Sequence, residues 1–167
     1  MKLLKVLFLV TLLFSIKVFA DNREYENNYY ALHVGVTPIH EMLEYLGSPI
    51  QMSHLGDNIH YFYEEVKVTA LKSSGRVSKI AIFDENYTDP KGMRIGSTIG
   101  EWANALYPGQ YSKSSPHFFE SLSPKANFAQ GDSSTGIVYW FRDGRIKAIV
   151  LRHKIDEGGL NKVERPF

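Results

Sequence analysis

The chain of 167 residues contains no cysteine. That absence excludes disulfide staples, thiolate nucleophiles and cysteine-based metal centres, and it removes the residue a lipid anchor is built on. Charge of one sign is also lacking, with 19 Lys and Arg against 18 Asp and Glu. A general nucleic-acid binder carries a basic stripe, so no nucleic-acid partner is expected. Nucleotide-cradling glycine patterns and a nucleophile elbow are missing from the sequence, and the six histidines include no pair at the one-face helical spacing of a zinc enzyme. The adjacent acids Glu64-Glu65 and Asp84-Glu85 alternate to opposite faces if they lie on strands, which unfits them for shared acid and base work. The chain therefore reads as a non-enzyme, with no cofactor and no metal.

Long hydrophobic runs are absent as well. The most apolar stretch, Val6 to Ile16, spans 11 residues between Lys5 and Lys17, against the roughly 20 that a spanning helix needs. A positive start, a short apolar run and Val18-Phe19-Ala20 before a polar segment predict a cleaved secretory signal over residues 1–20. Its removal leaves 16 Lys and Arg against 18 Asp and Glu, with no transmembrane segment in the mature chain. Export without disulfides points to a bacterial periplasmic or secreted protein.

What is present is a phrase that occurs twice. Gly75-Arg76-Val77 through Ile80 returns 69 residues later as Gly144-Arg145-Ile146 through Ile149, each time after an apolar stretch that reads as the first strand of a hairpin. Residues 21–33 read as a flexible N-terminal arm, 34–90 as a first repeat unit, 91–152 as a second, and 153–167 as a C-terminal tail. In the first unit, Thr37 and Pro38 open a helix to Gly47 whose apolar face is Ile39, Met42, Leu43 and Leu46, and strands are expected from Ile59, Val66 and Arg76 after a polar link. In the second unit, Thr98 and Glu101 have the spacing of a reciprocal capping box ahead of Trp102, Ala103 and Leu106, and Asp143-Gly144 is a strong hairpin turn. The expected fold is α+β: two duplicated helix-plus-β-hairpin units forming one antiparallel sheet with helices packed on one face.

Gly35-Val36-Thr37, Glu41, Leu46-Gly47-Ser48-Pro49 and Gly75 through Ile80, echoed by Lys91 through Thr98, Glu101, Leu106-Tyr107-Pro108 and Gly144 through Ile149, resemble the tandem repeats of the β-lactamase inhibitory protein superfamily. Small outer-membrane assembly lipoproteins look like single copies of that unit. The resemblance implies an exported, non-catalytic module whose sheet faces a protein partner. It does not carry β-lactamase inhibition, because those inhibitors have disulfides and an acidic turn where this chain has Ser73-Ser74-Gly75. Nor does it carry the lipidated cysteine of the assembly proteins.

Aromatic residues mark the candidate binding surface. Tyr61 and Tyr63, Tyr139 and Trp140 crowd the expected strands, and Phe118, Phe119 and Phe128 lie in a serine-rich stretch over 110–135 that reads as an inserted loop. If helices cover one face of the sheet, these rings on the other face and in the loop would hold an unknown protein partner. The leading expectation is thus an exported protein-binding, inhibitor-like module of the bacterial periplasm. The alternative is a structural accessory of envelope or outer-membrane assembly.

Overall fold

The computed structural model describes residues 28–106, 128–132 and 136–152, and the architecture is mostly β. The described residues form nine strands: β1 (Asn28–Tyr29), β2 (Leu32–His33), β3 (Gln51–Leu55), β4 (Asn58–Phe62), β5 (Val66–Leu71), β6 (Arg76–Ile82), β7 (Phe128–Asp132), β8 (Ile137–Arg142) and β9 (Arg145–Arg152). The first two pair as a small ribbon. The other seven form one antiparallel sheet in the order β3-β4-β5-β6-β9-β8-β7. Among the described residues two helices accompany them, α1 (Ile39–Leu46) and α2 (Ile99–Leu106), each of 8 residues.

This arrangement corrects the expected fold class. Two duplicated helix-plus-hairpin units are not what the chain builds: four strands of the large sheet precede α2 and three follow it, and the ribbon β1-β2 has no counterpart among the described residues. The polar link expected between α1 and Ile59 is itself a strand, β3, joined to β4 by the Gly56-Asp57 turn with Gly56 at φ +59. A local clasp recurs in the two halves. The Ile39 amide donates to the Gly75 carbonyl at 2.9 Å and the Val77 amide to Thr37, while Arg76 reaches the Val36 carbonyl. Around the second glycine-arginine pair, Ile99 donates to Gly144 at 3.1 Å, Ile146 donates to Ser97, and Arg145 reaches the Gly96 carbonyl. Each clasp ties the start of a short helix to a hairpin turn, and that is what the repeated phrase does.

The helix starts differ. Thr98 and Glu101 form the reciprocal capping box their spacing predicts, with the Thr98 amide 2.7 Å from Glu101 Oε2 and the Glu101 amide 3.2 Å from Thr98 Oγ1. At α1 the expected Thr37 cap does not form; Pro38 stands at the cap position, and the Thr37 hydroxyl instead accepts the His33 amide at 2.8 Å. The β8-β9 turn follows the sequence signal, with Asp143 at φ +53 and Gly144 at φ +71, the pair of left-handed residues a two-residue hairpin loop needs.

Helices this short bury little on their own, and of their side chains only Met42, Trp102 and Ala103 are fully buried. They join a main core with Val68, Val77, Ile80, Ile82, Tyr139, Phe141, Ile146, Ile149 and Leu151. Trp102 meets Phe141 edge-on at 5.6 Å and Tyr139 at 6.2 Å between ring centroids. Alternate residues of the same strands, Ala81, Val138, Trp140, Ala148 and Val150, form a second buried cluster. Residues 28–33, within the expected arm, are docked rather than free: Tyr29 and Leu32 are buried in the main core.

Candidate protein-interaction edge

The aromatic residues expected to form one exposed surface are divided by the strand period, because neighbours on a strand point to opposite faces. Tyr61 is buried in the main core. Tyr139 is fully buried there too, and its hydroxyl donates to the buried carboxylate of Asp89. Trp140, one residue on, is buried in the second cluster. Tyr63 is half-buried against the main core and donates to the Gly47 carbonyl at the end of α1 at 3.2 Å. Phe128 opens β7 opposite Phe141, and Phe118 and Phe119 lie outside the described residues. As an exposed aromatic surface, then, Tyr61, Tyr139 and Trp140 are corrected: the rings of Tyr61 and Tyr139 fill the main core beside the few helical side chains, and Trp140 is buried in the cluster on the other face.

Two polar clusters were not recognised in the sequence. Between the halves, Asp84 is buried and accepts hydrogen bonds from the Asn86 amide at 2.8 Å and from the Tyr29 and Tyr30 hydroxyls at 3.1 and 3.0 Å. Burial pushes its pKa up, but the amide and the two hydroxyls outweigh it and hold the carboxyl below its ordinary range. Burial, then the Asp84 charge, push the Tyr29 phenol far up, so both groups keep these bonds at neutral pH. Asp89 similarly accepts the Lys91 and Met93 amides at 2.9 and 2.8 Å. These groups are saturated within the chain, and what they do is pin the ribbon and the link to the sheet.

The second cluster lines an open cleft of about 500 Å³ formed by Glu85, Arg94, Ile95, Gly96, Ser97, Thr98, Glu101 and Arg145. A helix start flanked by two arginines would suit an anion. Here the Glu101 carboxylate already closes that start, held below its ordinary pKa by the Thr98 amide first and the Thr98 hydroxyl second. Arg145 is committed to the Gly96 carbonyl at 2.9 Å. Among the described residues, no cluster of His, Asp and Glu is placed to hold a metal ion.

The surface left asking for a partner is the sheet edge at β3. Of the large apolar side chains that are conspicuously exposed, three stand on or beside this strand: Ile50 at 76 %, Met52 at 49 % and Leu55 at 61 %. β3 pairs with β4 on one side and, among the described residues, ends the sheet on the other, so half of its backbone donors and acceptors face away from the ladder. Edge strands are usually blunted by lysine, proline or inward charges. Gln51-Met52-Ser53-His54-Leu55 has none of them. The edge is also held firmly. The Lys72 amide and ammonium donate to the Asp57 and Gly56 carbonyls, each at 2.9 Å, and the Asp57 carboxylate accepts the Ser73 amide at 3.0 Å. One signal for this edge was readable in the sequence: Gly56-Asp57 is a two-residue hairpin loop type. Its strand was obscured because Met52 and Leu55 do not alternate and the residues between them are polar.

No family model matches the chain, and no curated protein matches it. Among solved structures, the crystal structure of the uncharacterized protein YfeY from Escherichia coli aligns at 17 % identity and a TM-score of 0.47, covering 77 % of this chain and 97 % of that one. Neither finding bears on the resemblance to β-lactamase inhibitory proteins, on export or on activity.

Proposed function

We propose that this chain is a non-catalytic protein-binding module, exported to the bacterial periplasm, whose docking surface is the β3 edge. The observation that carries the reading is an edge strand without fixed charge that exposes Met52 and Leu55, with Ile50 beside it, and whose turn is hydrogen-bonded to Lys72 and Ser73. An extended backbone can pair with an alternating row of outward amides and carbonyls, and a protein is the partner that supplies one. Export rests on the charged start and the short apolar run of residues 1–20. Protein recovered from an exported fraction should have the intact mass of a chain beginning at Asp21. In that fraction, a photo-crosslinking residue at position 55 should give a protein adduct, and the same residue at exposed Ser74 in the β5-β6 turn should give none. Absence of any adduct at position 55 would remove the binding reading.

A further inference from the structure

We infer that Met52 is an oxidative modification site of this protein, where peroxides or hypohalous acids convert the side-chain thioether reversibly to the sulfoxide. The chain has no cysteine, so no thiol intercepts such oxidants first and methionine supplies all of its sulfur. Four methionines are present, and Met1 leaves with the proposed signal. Met42, Met52 and Met93 remain in the exported chain.

The fold separates these three sulfur atoms. Met42 on α1 is 0 % exposed and Met93 7 %, both in the main core, whereas Met52 is 49 % exposed. Its place in the sheet is the cause: Met52 faces Tyr61 of β4 on one side, and among the described residues no strand lies on the other. Oxygen transfer needs both approach and water. A sulfur lone pair attacks one peroxide oxygen, the S–O bond forms as the O–O bond breaks, and the departing hydroxide takes the proton of the transferred oxygen and leaves as water. Sulfur is oxidised and the peroxide reduced; with hypochlorous acid the products besides the sulfoxide are chloride and a proton. Charge separates in that step, which solvent supports at Met52 and an apolar core does not support at Met42 or Met93. The product suits the edge as well. A sulfoxide oxygen is a hydrogen-bond acceptor that water satisfies at position 52, so oxidation there is compatible with the native fold and open to repair by methionine sulfoxide reductases.

Treating the exported protein with hydrogen peroxide and following peptide masses after digestion tests the assignment, and the readout needs no docking partner. The peptide holding Met52 should gain one oxygen at least about tenfold faster than those holding Met42 and Met93. In urea the three rates should converge, which makes the difference a property of the fold and not of neighbouring sequence. The singly oxidised protein should keep its unfolding midpoint and return to its starting mass with sulfoxide reductases of both epimer specificities. Met52→Leu should take up no oxygen under the treatment that converts the unsubstituted protein. Uptake at Met42 or Met93 as fast as at Met52 in the folded protein, or a first uptake that survives Met52→Leu, overturns the assignment.

Discussion

Asp84 shows how a single residue holds a chain segment in place. Its carboxylate gathers two tyrosine hydroxyls and one amide in a buried position, and Tyr30 accepts a left-handed backbone, φ +51, in the segment that delivers them. The rings of Tyr29, Tyr30 and Tyr87 pack at tilted angles beside it, with centroids 4.7 Å apart for the first pair and 5.6 Å for Tyr29 and Tyr87. Because the folded pKa lies below the unfolded value of about 3.9, the stabilisation is fully present above that value and is lost as pH falls through the folded pKa. Asp84→Asn should therefore destabilise the protein by about 1–3 kcal/mol at neutral pH, the cost of weakened hydrogen bonds to a buried group. Urea unfolding at pH 7 and near pH 2 checks it: the gap between the variant and the unsubstituted protein should shrink in acid. A gap that stays constant would mean that the ionised form contributes nothing.

The two helices contribute unequally to their own stability and to the core. Trp102 fills the space between α2 and the rings of Tyr139 and Phe141, so Trp102→Ala should cost about 3–5 kcal/mol. Met42→Ala, fully buried on α1, belongs in the range of about 2–5 kcal/mol. Leu46 and Leu106, which helical periodicity would rank with them, are only half-buried, and their alanine variants should fall clearly below Met42→Ala in chemical denaturation. Thr98→Ala should remove about 1 kcal/mol through the lost capping box. Thr37→Ala tests a different contact, since its hydroxyl serves the His33 amide and not the helix. A thermal-melt series in which the two leucines prove as costly as Met42 would refute this placement of the core.

On the scale of the whole molecule, the sheet is unevenly finished. Its centre, β5, β6, β9 and β8, is buried on alternating residues toward both faces, while β3 is exposed along most of its length. An edge that contributes little to the core can be altered without unfolding the protein. Leu55→Lys should leave the denaturation midpoint equivalent to within about 0.5 kcal/mol, the range of surface substitutions, while removing association at the edge. Loss of several kcal/mol in that variant would show that β3 is held by its side chains and not by its ladder and the Lys72 and Ser73 bonds to its turn.

Local chemistry was legible in the sequence wherever a few neighbouring residues suffice. The Asp143-Gly144 turn, the Thr98-Glu101 capping box and the stop of α1 at Gly47, φ +76, follow from backbone and side-chain preferences that act within one turn of chain. The second Gly-Arg phrase was legible too, but its meaning was not: similar words built a similar clasp without building two equal units. Only the tertiary structure decided that the rings of Tyr61, Tyr139 and Trp140 lie inside, because burial depends on what packs across each face of a sheet, and the short helices leave room on theirs for Tyr61 and Tyr139. It likewise decided that Gln51–Leu55 is an edge strand, since a strand without alternation is recognised only by the partner it pairs with, and its free side is set by where the sheet ends.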